Sequence, residues 1–308
     1  MSRTALVSDL AAADARAQVK TVGDLIDTLT GSLVLGGVES ARRIAVDIIA
    51  ALLEVPRSWP LSHMGSAISA EIASQSVVSA QRITKGMPFA YAVESAPFRH
   101  LNLFVDQRVL IPRPETEHLV SELLDECATL FAALDSWGTA VDVGTGSGAI
   151  ALALASEGRF GKVIATDASA DALDVARINS RRTERALKAQ VELRHGSLLN
   201  PVSDVKASVV VSNPPYIAYS EIESLPASVR DWEPPLALFS GRDGMAATSE
   251  IVRDAAMILR RGGILALEVD ERRASLAAEL VISSGKYNDV SVRLDLAGRE
   301  RFVLATRT

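Results

Sequence analysis

The chain has 308 residues, 48% hydrophobic but only 5% aromatic, which is enough for two domains or one large one with a mainly aliphatic core. A formal net charge of -6 and a pI near 5.4 argue against broad electrostatic binding of nucleic acid, although a local basic patch stays open. Cys127 is the only cysteine, which excludes an internal disulfide and a thiolate zinc cluster, and its apolar surroundings from Leu123 to Leu130 read as packing.

Residues 1–20 are Ala-rich and read as a flexible extension or a frayed helix. Arg3, Asp9, Asp14 and Arg16 interrupt any apolar leader, and no run reaches the ~18 uncharged residues a membrane helix requires. A cytoplasmic protein without membrane attachment is the expectation. From Thr21 the pattern is helical. Val22, Leu25, Ile26 and Leu29 share one face, and Ile44, Ile48, Ile49 and Leu52 share another, with Ser40 as N-cap and Pro56 as terminator. A third helical stretch covers Ser69 to Thr84, so residues 21–86 form a small helical domain. Residues 87–114 read as a hairpin-like linker, with Phe98, Leu101, Leu103, Val105 and Val109 in strand rhythm ahead of Ile111-Pro112-Arg113-Pro114.

Residues 115–308 alternate apolar runs with helical patterns. The runs lie at 140–143, 162–166, 191–193, 208–211 and 264–267, and helices are predicted over 149–156, 170–179 and 248–259. Such alternation specifies an α/β domain with a mostly parallel sheet covered on both faces. The tail, 290–294 and 302–305, reads as two strands joined at Gly298.

Between the first of these strands and its helix stands Gly144-Thr145-Gly146-Ser147-Gly148. Glycines there permit a sharp turn and close approach of a ligand at the carboxyl end of a strand. Asp167 ends the next strand, 19 residues after Gly148, where a carboxylate can accept both ribose hydroxyls of an adenosine. The spacing is G-x-G-x-G, whereas the dinucleotide fingerprint is G-x-G-x-x-G. A methyltransferase cofactor loop, a dinucleotide site and a plain structural turn all remain open from this motif alone.

Asn213-Pro214-Pro215-Tyr216 follows the fourth strand. An amide or exocyclic amino nitrogen is a poor nucleophile because its lone pair is delocalised. The Asn213 side-chain oxygen and the Pro214 carbonyl can accept its two hydrogens, the prolines preorganise those acceptors, and Tyr216 can stack on the planar group. The lone pair is then aimed for in-line methyl transfer, without a metal. The bland alternative is a proline-terminated strand and turn.

With these motifs in place the chain resembles the HemK-type peptide chain release factor glutamine-N5 methyltransferases over roughly residues 21–308. The likeness also rests on Val109 through Glu117, on Glu233 through Leu238 with Gly241 through Gly244, and on Asp295 through Arg301. It implies a Rossmann-like class I S-adenosylmethionine-dependent methyltransferase domain, mostly parallel with a C-terminal antiparallel strand, behind a helical substrate-docking domain. It implies S-adenosyl-L-methionine as cofactor, contacted by Gly144 through Gly148, Asp167, Leu198 and Asn213. The substrate implied is the glutamine of the Gly-Gly-Gln loop of class 1 release factors, held by Asn213, Pro214, Pro215 and Tyr216, with Asn213, Pro214 and Tyr216 catalytic. No direct nucleic-acid partner is expected.

Three places depart from the family pattern. Ser197 stands where an acidic residue is common, Asp270 and Arg273 replace a glycine and a glutamine, and Glu94-Ser95 stand where a linker glycine is common. Arg113, Glu115 and Glu117 are either an active-site rim or surface charges at a helix start. His63, His100, His118 and His195 lack ligand spacing, so no metal is expected. The competing functions are a nucleic-acid adenine N6 methyltransferase using the same loop, and an inactive scaffold that keeps the fold.

Overall fold

The computed structural model describes residues 20–308, so the expectation for the first 19 residues lies outside it. The chain divides into two units between Ser95 and Ala96. Among the described residues no helix is long and apolar enough to cross a membrane.

The first unit is helical. Helix α1 (Val22–Leu35) opens with a capping box, in which the Thr21 hydroxyl accepts from the Asp24 N–H and the Asp24 carboxylate accepts from the Thr21 N–H. Its apolar stripe packs with α2 (Ala41–Leu52) and α3 (Ala70–Thr84) around Leu25, Ile26, Leu29, Ile48 and Ile49, all fully buried. Ser40 precedes α2 as expected but does not cap it. Its backbone sits at φ 54°, and its side chain makes no capping bond.

The stretch read as a linker is split between the units. Residues 87–95 close the helical unit, while β1 (Ala96–Phe98) and β2 (Leu101–Leu103) form an antiparallel hairpin in the second. Val105 and Val109 are buried without belonging to a strand.

The second unit continues with α4 (Pro114–Leu130), β3 (Thr139–Val143), α5 (Ala149–Glu157), β4 (Lys162–Asp167), α6 (Ala170–Arg182), β5 (Gln190–His195) and β6 (Ala207–Ser212). It ends with α7 (Ala246–Ile258), β7 (Leu259–Glu268), α8 (Ala274–Ser283), β8 (Tyr287–Leu294) and β9 (Glu300–Arg307). The sheet order is β5-β4-β3-β6-β7-β9-β8. The first five strands in that order run parallel; β9 is antiparallel to both β7 and β8. Alternation along the strands feeds two cores. Ala140, Val209, Val211 and Ile264 pack with α4 and α5, while Val141, Val210, Leu265 and Leu267 pack with α7 and α8.

The chain leaves β3 toward β4 and β5, then returns through β6 to the other side of β3. That reversal is a topological switch point. The loops at the carboxyl ends of β3 and β6 diverge there and leave a crevice, the usual ligand position in open α/β sheets.

Candidate active site

The loop after β3 takes φ values of 74° at Gly144, 54° at Gly146 and 84° at Gly148, a region that penalises any Cβ. Asp142, fully buried in β3, anchors it from beneath. Its Oδ2 accepts from the Thr145 hydroxyl at 2.6 Å and from the Ala151 N–H at 3.1 Å. Burial pushes the Asp142 carboxyl up to about 7. From the side, the Gly144 and Thr145 N–H groups both donate to the Thr166 carbonyl at 2.9 Å. Asp167, at the end of β4, closes the ring by accepting from the Gly146 N–H and the Ser169 N–H, each at 2.8 Å. Burial raises its carboxyl while these bonds oppose the rise. A carboxylate offers about four acceptor positions, and with the Ala168 backbone also bonded to it, acceptor capacity still remains for a ligand.

A cavity of about 330 Å³ lies over this loop. Gly144, Gly146 and Asp167 form one wall, Ser197 and Leu198 a second, and Asn213 and Pro215 a third. A Cβ built on Gly144 or Gly146 would meet no heavy atom within 4 Å, so the glycines leave that space to a ligand. Leu198 is held at φ 47°, its carbonyl accepting from the Thr166 hydroxyl at 2.8 Å, and presents an apolar surface.

The loop after β6 is braced from three directions. Asn213 Nδ2 donates to the Thr116 hydroxyl oxygen at 3.1 Å, and that hydroxyl donates to Glu268 Oε2 at 2.7 Å. Glu268 ends β7 and is 1% exposed; burial pushes its carboxyl up to about 7, against the Thr116 bond. Arg113 bonds both oxygens of buried Glu233 at 2.5 and 2.7 Å, joining the segment before α4 to the segment after the loop. Ile217 bridges to Phe239 through bonds between Ile217 and the Leu238 and Ser240 backbones. The Tyr216 carbonyl lies against Gly244, where an added Cβ would be 2.2 Å from it.

The structure sorts the expected site residues into two groups. Gly144, Gly146, Asp167, Leu198, Asn213 and Pro215 share the cavity. Thr145, Ser147, Gly148, Pro214 and Tyr216 do not line it. The Thr145 hydroxyl is committed to Asp142, and the Ser147 carbonyl accepts from buried Asn179 at 2.8 Å. Gly148 starts α5 in a left-handed conformation beside Leu152 and Ala176. Pro214 is buried; burial pushes the Tyr216 phenol up, among the charges of Glu268, Arg301, Arg113 and Asp270. Arg113 belongs to the site framework through Glu233, whereas Glu115 pairs outward with Arg299 at 3.2 Å.

The departures at the end of β7 acquire a clear role. Arg273 bonds Glu221 and the Asp243 carbonyl, Arg272 bonds Asp270 and Glu221, and Glu221 also accepts from the Ala218 N–H. This ion-pair network holds both segments that follow the Asn213 loop. Among the described residues no group of three or more His, Cys, Asp or Glu side chains is placed to hold a metal. Cys127 is buried in the core, its thiol pushed up to about 12 by burial.

Sequence reasoning missed Asp142, Thr116, Glu233 and Glu268 as parts of the site. For Asp142 and Glu268 a signal existed, since each is a charged residue within or ending an otherwise apolar strand. For Thr116 and Glu233 only their place in the resembling segments pointed the same way.

The Methyltransferase small domain model matches residues 119–226. The hMettl16 catalytic domain, solved with an MAT2A 3'UTR hairpin, superposes with a TM-score of 0.52 at 14% identity, covering 77% of this chain and 81% of that one. That likeness is one of fold. Curated relatives are closer in sequence. The release factor glutamine methyltransferase of Moorella thermoacetica is 37% identical over 89% of this chain and 94% of its own length. That of Mycolicibacterium smegmatis is 38% identical over 92% and 96%, and that of Gloeobacter violaceus 42% over 73% and 76%. This chain is therefore a methyltransferase and belongs to the release factor glutamine methyltransferase family.

Proposed function

We propose that this protein transfers a methyl group from S-adenosyl-L-methionine to the side-chain amide nitrogen, N5, of the glutamine in the Gly-Gly-Gln loop of class 1 release factors. The observation that carries the reading is the cavity at the switch point. The glycine loop and Asp167 bound it on one side and Asn213 and Pro215 on the other. The names of the relatives support the release factor as substrate.

The residues present suit the cofactor. The space over Gly144 and Gly146 admits a backbone-hugging ligand, Asp167 retains acceptor capacity for the ribose, and Leu198 offers an apolar face to a base. When bound, S-adenosylmethionine supplies an electrophilic sulfonium methyl. The chain's task is to present the amide nitrogen. The Asn213 side-chain oxygen accepts one amide hydrogen and the Pro214 carbonyl the other, which leaves the nitrogen's lone pair directed into the cavity. Pro215 walls the planar amide, and Tyr216, which stands outside the cavity lining, backs that turn. A methylated amide nitrogen sheds its proton readily, so no strong base is required. The helical unit, which contains no part of this cavity, is assigned to docking the protein substrate, and the substrate places the enzyme in the cytoplasm.

The test is methyl transfer from labelled cofactor to a purified release factor, read by mass spectrometry of the Gly-Gly-Gln peptide. One methyl on that glutamine, absent when it is replaced by alanine, is the expected result. Label found only elsewhere, or none, refutes the reading.

A further inference from the structure

We propose that Thr116 and Glu268 are positioning residues that hold the Asn213 carboxamide in one of its two orientations, with its oxygen toward the substrate nitrogen. The inference rests on the proposed glutamine chemistry. A carboxamide is nearly the same shape when its oxygen and NH2 exchange places, but the two orientations are opposite in function. Oxygen inward accepts a substrate N–H; NH2 inward sets donor against donor. Something must discriminate between them.

A hydroxyl alone cannot, because it both donates and accepts. The arrangement here removes that ambiguity. The ionised Glu268 carboxylate is acceptor-only and takes the single Thr116 hydroxyl hydrogen at 2.7 Å. The hydroxyl then faces Asn213 with lone pairs only, and only the amide NH2 satisfies it, as the 3.1 Å bond from Nδ2 shows. The carboxamide oxygen is left for the cavity that Asn213 lines. All three groups are drawn from separate parts of the chain, α4, β7 and the loop after β6, so the relay exists only in the folded unit.

The relay works only while Glu268 is ionised. A protonated Glu268 donates to Thr116, frees the hydroxyl hydrogen, and the discrimination is lost. The groups acting on Glu268 are Arg113 and Glu115 at the start of α4, Arg301 of β9, and the Tyr216 phenol, besides Thr116 itself. Burial outweighs the two arginines and holds the carboxyl near 7, so the switch falls in an accessible range.

The experiment has two arms. In the first, Thr116→Val keeps the shape and removes the hydroxyl, and Thr116→Ser keeps the hydroxyl. At pH 8 the valine variant should lose about tenfold in kcat on the release factor, equivalent to about 1.4 kcal/mol, with cofactor Kd within about twofold of wild type. The serine variant should recover most of the rate. Full turnover in the valine variant, or a serine variant as slow as the valine one, overturns the relay. In the second arm, the Asn213 side-chain 15N–1H2 signals of the unliganded full-length protein, assigned by their loss in Asn213→Asp, are followed from pH 5.5 to 8.5. They should shift with a midpoint near 7 in wild type and stay constant in Glu268→Gln. Signals that do not titrate in wild type overturn the relay. A wild type that leaves the release factor unmethylated refutes the proposed function instead, and the second arm still decides the relay.

Discussion

Replacing Gly244 by alanine tests how rigidly the Asn213 loop is held. Gly244 sits at φ 78°, so a Cβ costs about 1–2 kcal/mol in backbone strain alone. That Cβ would also lie 2.2 Å from the Tyr216 carbonyl oxygen and 2.6 Å from Arg273 Nε. The arginine can swing away, but at the loss of its bonds to Asp243 and Glu221. The carbonyl belongs to the backbone and recedes only if the loop moves. Restoring even a 3.0 Å contact requires a displacement of 0.8 Å. Overpacking of this kind costs about 1–3 kcal/mol, so the total expected loss of stability is about 2–5 kcal/mol. A shift approaching 1 Å at a reacting centre costs on the order of 10²-fold in rate. Gly262→Ala is the control. Its φ is 72°, and an added Cβ meets nothing within 4 Å, so it carries the strain without the clash. Thermal melts and kcat of both variants are to be measured side by side. Gly244→Ala should be clearly less stable and at least tenfold slower than Gly262→Ala. If the two behave alike, the close contact does not constrain the loop and the reasoning fails.

Other perturbations address the remaining parts of the site. Asp167→Ala should weaken cofactor binding by about 1.5–3 kcal/mol in calorimetry, the worth of a charge-assisted hydrogen bond; equal affinity would remove Asp167 from the ribose position. Asn213→Ala should lower turnover on the order of 10²- to 10³-fold in a protein that still folds, its stability reduced only by about the 0.5–1.5 kcal/mol of the lost Thr116 bond, and near-normal turnover would reduce Asn213 to a turn residue. A chain beginning at Ala96 retains both cores of the second unit and should bind cofactor while losing activity on an intact release factor. Full activity of that shortened chain would dismiss the docking role of the helical unit.

What the sequence by itself determined was whatever is written in short range. The 3.6-residue stripe from Val22 to Leu29, the short apolar runs at 140–143 and 208–211 set between helical patterns, and the glycine cluster at 144–148, whose three glycines take φ between 54° and 84°, are all local properties. They sufficed for an α/β domain that follows a helical one in the chain and for the two loops that line the cavity. Local pattern does not say which way each group of a motif turns. Thr145, Ser147 and Gly148 sit within the glycine motif, yet their groups face Asp142, Asn179 and Leu152 rather than the cavity, because a tight turn must spend part of its length bonding to its own support. Tertiary structure alone decided which distant groups meet. Thr116 lies 97 residues from Asn213 and 152 from Glu268 in sequence, and Arg113 lies 120 from Glu233. No periodicity encodes such pairings. They arise because the β3–β6 switch point and the packing of α4 beside β7 bring the three chain segments to one end of the sheet, where buried polar groups must find partners within the fold.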